Sequence, residues 1–150
     1  MHYELFMGAA LAEARIARDK GERAHGAAAV LGEALVASGH EEVVTRTDPT
    51  AHAVIVTLRE AATRLGTRSL AGVTVFSTVE PCAMCVGALL EADADCLVYA
   101  LADPKLGAAG SVVQLANNPA LPRRLDLISG ILRADAAELL RPTDASRAPA

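Results

Sequence analysis

Apolar positions recur at three- and four-residue spacing through residues 3–19. Leu5, Ala9, Ala12 and Ile16 share a stripe and Gly21 follows as a stop, so the segment reads as an amphipathic helix with that stripe turned inward. GAAAVL (26–31) and ALVA (34–37) read as short strands, and Gly32-Glu33 between them suggests a hairpin. The polar stretch GHEEVVTRTDPT reads as a loop. Within it, Asp48 can cap a helix with Pro49 at its first position, running from about residue 50 to 65 and stopping at Gly66. VTVFSTV (73–79) is a β-branched run of the buried-strand kind. Pro81 opens a helix to about residue 92, CLVYAL (96–101) is another buried strand, and DPKLGAAG (103–110) has turn chemistry. A short helix near 111–116, a last strand within 124–130 and a final helix over 133–141 complete the reading. Phe76 and Val98 are assigned to the core of the sheet, and Cys96 to a core thiol. Alternation of strand and helix predicts a three-layer α/β/α domain with a central mixed five-stranded sheet over residues 1–142, and residues 143–150 read as a disordered tail.

Composition narrows this picture. Hydrophobic residues make up 52% of the 150 and aromatics only 3%, so alanine and small aliphatics must build the core and the layers can approach closely. A formal charge of −4 argues against a broad phosphate-binding face. No stretch approaches the roughly 18–20 apolar residues of a membrane span, and the first twenty residues lack the pattern of a secretory signal, so a cytoplasmic location away from membranes is expected. Three cysteines in such a chain point to a metal or a redox pair before a disulfide framework.

Chemistry concentrates in Glu80-Pro81-Cys82-Ala83-Met84-Cys85. Thiols three residues apart at a helix start share a face, and the helix N-terminus favours the thiolates that zinc requires. His52, at the start of the preceding helix, can reach the same sheet edge. One imidazole and two thiolates leave a tetrahedral ion one open position, the pattern of a catalytic zinc, which makes hydroxide available near neutrality. A CxxC after a strand also suits a thiol–disulfide oxidoreductase, and a single histidine at a helix start is commonly a surface or capping residue. The three residues in this order match the histidine then P-C-x-x-C part of the zinc deaminase signature.

On those residues, with DPTAHAVIVTLREAATRLG (48–66), TVEPCAMCVGAL (78–89) and VYALADPKLGAAGS (98–111), the chain resembles the cytidine/deoxycytidylate deaminase superfamily, and within it bacterial tRNA adenosine deaminases and guanine or small-base deaminases. The resemblance implies the α/β/α fold, zinc held by His52, Cys82 and Cys85, and a homodimer with the site near the subunit interface. The pattern breaks at Val54. A glutamate stands there in the family and moves protons without binding zinc; valine cannot. Three explanations are open: a relocated acid, a catalytically silent relative acting as partner subunit or binder, or an engineered substitution. A second departure is Glu41, where the family commonly has an asparagine that touches substrate. Glu41 is the first candidate for the relocated proton carrier and for a substrate contact, with a solvated loop pair Glu41-Glu42 as the plain alternative. The resemblance also assigns Asp103 to the substrate mouth, and His25, Gly26 and Ala27 to the strand along which relatives contact the base. Glu80 is a further candidate acid, with a structural role as its alternative.

The acidic balance and a C-terminal segment without an aromatic and arginine cluster disfavour tRNA as substrate. The expected activity is therefore zinc-dependent hydrolytic deamination of a small amino-heterocycle, such as a free base, a nucleoside or an aminotriazine-like ring. A tRNA adenosine substrate is the alternative.

Overall fold

The computed structural model describes residues 1–141; the expected tail at 143–150 lies outside the described residues. In chain order the elements are α1 (Tyr3–Asp19), β1 (Gly26–Leu31), β2 (Ala34–His40), α2 (Val43–Arg46), α3 (Ala53–Leu65), β3 (Val73–Val79), α4 (Ala83–Glu91), β4 (Cys96–Leu101), β5 (Asp126–Ser129) and α5 (Arg133–Leu140). The strands form one five-stranded mixed sheet in the order β2-β1-β3-β4-β5. β1 runs antiparallel to both β2 and β3, while β3, β4 and β5 are parallel.

Alternation along the strands divides the core into two layers. Ala27, Ala29, Val73, Val75 and Leu97 face α3 and α4; Ala28, Val30, Phe76, Val98 and Ala100 face α1 and α5. The expected three-layer architecture is therefore present, with Phe76 and Val98 fully buried and Cys96 half-buried at the second layer's margin. Close layer spacing depends on small residues. A Cβ on Gly26 would collide with the backbone carbonyl of Ala10 and the backbone nitrogen of Ala14 on α1.

Several boundaries and one face differ from the sequence reading. α1 buries Phe6, Met7, Ala10, Leu11, Ala14 and Ala17, leaving Leu5 and Ile16 exposed. Two apolar stripes interleave on this helix, and the one carrying an aromatic ring and alanines wins because Phe6 packs on Phe76 at 5.7 Å between centroids. α3 starts at Ala53 rather than near 50: the Asp48 carboxylate accepts from the amide and hydroxyl of Thr50, closing a tight turn that the helix then follows. Residues 43–46, read as loop, form the short α2, whose first amides are met by the buried Glu22 carboxylate. Residues 111–116 form turns and a bridge between Ala109 and Gln114 in place of the expected helix. Among the described residues no helix is long and apolar enough to cross a membrane.

Candidate metal centre

The antiparallel pairing of β1 with β3 brings the start of β1 to the carboxyl end of β3, where α4 begins. The β1–β2 hairpin brings the end of β2 to the same edge, with Glu41 N–H donating to the His25 carbonyl at 3.1 Å. Glu42 N–H donates to the Ala51 carbonyl at 2.9 Å, holding the approach to α3 against this edge.

His52 and Cys82 are the N-cap residues of α3 and α4, both in extended backbone conformation, and Cys85 lies on the first turn of α4. The ring Nδ1 of His52 is 3.6 Å from each sulfur, and the three donor atoms lie within 4.8 Å of one another. That spacing suits one tetrahedral ion with two thiolates and an imidazole. The donor set thus fits the zinc expected from the sequence. Hydrogen bonds from Cys85 and His52 lower the Cys82 thiol to about 3. Sharing its proton with Cys82, together with burial, pushes the Cys85 thiol up.

Around these ligands is a cavity of about 40 Å³ lined by residues that include Arg23, His25, Val54, Glu80, Asp103 and Leu106. Val54, Ser77, Val79, Glu80 and Cys85 are buried and form its floor; Arg23, His25 and Asp103 are partly exposed and Leu106 is exposed, at its mouth. Val54 occupies the floor beside the ligands but brings only methyl groups there.

The structure gives several candidate residues different posts from those expected. Glu41 is buried, yet it is absent from the cavity lining and both its oxygens are taken by Arg23, Nε at 2.7 Å and Nη2 at 2.6 Å. Its carboxylate is thus paired with Arg23 behind the cavity lining, and not a free anion in the cavity. Glu80 reaches the floor, but its oxygens accept from the amides of Asp103, Ala109 and Ser111 at 3.1, 2.9 and 3.1 Å and from the Ser111 hydroxyl. These bonds tie it to the 103–111 loop, the structural role weighed for it from sequence. Gly26 and Ala27 are sheet residues outside the cavity lining, and Gly26 N–H donates to the Thr78 hydroxyl. His25 and Asp103 do line the cavity. His25 Nδ1 is 3.8 Å from Glu41 Oε1, and burial lowers its pKa from 6.5 to about 4, keeping the ring neutral.

Arg23 was not singled out from sequence. The signal was present in two parts: a buried carboxylate needs a cation, and the hairpin register that pairs Gly26 with His40 brings residues just before 26 beside those just after 40.

Comparison with known proteins is consistent with this geometry. Residues 1–101 match the model of the cytidine and deoxycytidylate deaminase zinc-binding region. The chain is 34% identical over 137 residues to the tRNA-specific adenosine deaminase of Bacillus subtilis, covering 91% of this chain and 85% of that protein. It is 38% identical over 136 residues to the tRNA-specific adenosine deaminase of Agrobacterium fabrum, covering 91% and 90%. A solved structure from studies of A-to-I editing by tRNA:A34 deaminases superposes with a TM-score of 0.88 at 37% identity, covering 91% of this chain and 99% of that one. The guanine deaminase of Nitrosomonas europaea superposes with a TM-score of 0.76 at 28% identity, covering 92% and 82%.

Proposed function

Because the chain belongs to the cytidine and deoxycytidylate deaminase zinc-binding family, we propose that it is a zinc-dependent hydrolytic deaminase of the tRNA adenosine branch. The observation that carries this is identity over nearly the full length: 34% and 38% to tRNA-specific adenosine deaminases across 91% of this chain, against 28% to the guanine deaminase across 92%. It outweighs the mild acidity, which bears on overall affinity for RNA and not on the reacting site.

Water adds across the ring C=N bond at the amino-bearing carbon: its oxygen bonds to that carbon and one of its protons goes to the ring nitrogen. Its second proton goes to the exocyclic amine, the C–N bond breaks, ammonia leaves and the carbonyl forms. His52, Cys82 and Cys85 would hold the zinc, which when bound would supply the Lewis acidity that activates water near neutral pH. The chain's residues supply exclusion of bulk water at the floor and a carrier for the proton. Val54 cannot be that carrier. Among the cavity-lining acids and bases outside the metal set, Glu80 is engaged by its loop, and Asp103 Oδ1 accepts from the amides of Lys105 and Leu106. His25 has no ring hydrogen bond among the described residues, lines the cavity, and has the Glu41 carboxylate 3.8 Å from its Nδ1, so its neutral ring is uncommitted. We assign the relocated proton carrier to His25, with Glu41 as its positioning residue.

A second reading has a specific observation behind it. A formal charge of −4 favours a free amino-heterocycle over a polyanion. Zinc-loaded protein offered an anticodon stem-loop RNA should yield inosine, and His25→Gln should lower turnover by about 10²–10⁴-fold without releasing zinc. Ammonia from guanine or adenine with none from RNA would transfer the assignment to the small-base reading. No product from any of these, with turnover appearing in Val54→Glu, would replace both with a catalytically silent relative.

A further inference from the structure

The ion pair at the edge of the cavity places a cation at the mouth, on which the Asp103 carboxylate also opens. Glu41 alone would present an anion suited to N–H donors. Arg23 stands in front of it: Arg23 lines the cavity with its side chain 34% exposed, and Glu41, its side chain 3% exposed, lies outside the lining. The pair is thus an oriented dipole with its positive end at the mouth. Guanidinium geometry adds a second point. The five N–H groups form two forked edges. Glu41 takes the Nε/Nη2 edge, using one hydrogen on each nitrogen. Two hydrogens on Nη1 and one on Nη2 remain, and no acceptor among the described residues takes that edge.

We infer that Arg23 is a specificity-determining residue whose free edge binds a phosphoryl oxygen of the substrate nucleotide. The inference deepens the deaminase reading and rests on it for where the base lies. The metal ligands line the same small cavity as Arg23, so a base with its reacting carbon at the ligands would leave its sugar and phosphate toward the mouth, where Arg23 is partly exposed. A fork of two parallel donors matches phosphate oxygens in a way that a lysine ammonium does not. The clamp by Glu41 holds the guanidinium in place before the ligand arrives, which reduces the ordering cost of binding. The phosphoryl group has two possible sources, the 5′-phosphate of a mononucleotide or a phosphodiester flanking the target in an RNA loop.

The experiment is equilibrium binding to zinc-loaded protein of adenosine, adenosine 5′-monophosphate and an anticodon stem-loop RNA, alongside inosine formation. The variants are R23K, R23Q and the double R23Q/E41Q, which leaves no buried carboxylate unpaired if R23Q alone fails to fold. Expected is a loss of about ten- to a hundred-fold in affinity for at least one phosphorylated probe in R23K and in R23Q/E41Q, with adenosine affinity unchanged. Loss confined to the monophosphate identifies the 5′-phosphate, and loss confined to the stem-loop identifies a flanking phosphodiester. Unchanged affinity for both phosphorylated probes in both variants overturns the assignment of Arg23, as does failure of wild type to bind either. Turnover is scored separately: wild type that binds phosphate through Arg23 but makes no inosine upholds the subsite and defeats the adenosine reading, whereas inosine formation and probe affinity both indifferent to residue 23 do the reverse.

Discussion

At the scale of single residues, the site differs from a generic cluster of polar groups in how its acids are committed. Glu22, Glu41 and Glu80 are all nearly fully buried, and each is matched to donors: backbone amides at residues 44 and 45, Arg23, and the 103–111 loop. Glu80→Gln keeps the size but removes the charge that several donors share, and should cost about 2–4 kcal/mol, read as a lowered midpoint in denaturant. His25 gives a pH prediction of definite sign. Its folded pKa of about 4 lies below the unfolded 6.5, because burial disfavours the charged ring. The unfolded chain therefore takes up a proton first as pH falls. The stability that neutral His25 permits is fully present above about pH 6.5 and is lost progressively down to about pH 4. Denaturation midpoints measured across that window should fall more steeply for wild type than for His25→Gln; parallel curves would refute it.

At the scale of elements, packing distance decides. α1 lies against the start of β1 so closely that Gly26 has no room for a methyl group. Gly26→Ala should force the helix away and destabilise by about 1–3 kcal/mol or more, measurable by thermal melting. Gly107 is a second such point, since a Cβ there would meet the Glu80 carboxylate. Much of this level was legible in the sequence. β3, β4 and the cysteine turn carry strong patterns, and the metal set follows from His52, Cys82 and Cys85 with no need of coordinates. The buried face of α1 was not legible, because two apolar stripes share that helix and only contact with Phe76 selects between them. α2 was missed since its four residues start through a carboxylate more than twenty positions away in sequence. The same limit hid the role of Glu41: its identity was conspicuous, but what a buried acid does depends on the cation it meets, here Arg23.

For the whole molecule, the metal is expected to act as a stabilising ligand. His52 and the cysteines sit on two helices that pack on the same face of the sheet, and an ion held by all three binds the folded chain in preference to the unfolded one. Chelation should lower the melting temperature by on the order of 10 °C, and readded zinc should restore it. The His52→Ala protein should show neither response, and metal analysis should give near one zinc per wild-type chain. The segment Glu80-Pro81-Cys82 also constrains redesign of the molecule. Its glutamate holds the amides of the 103–111 loop, its proline carbonyl accepts from Ala108, and its cysteine is a metal donor. A loop of foreign length grafted between residues 103 and 111 would pull on a thiolate, so changes of substrate preference are best sought at the side chains of Leu106 and Asp103, with chain length kept and the glycine at 107 left in place.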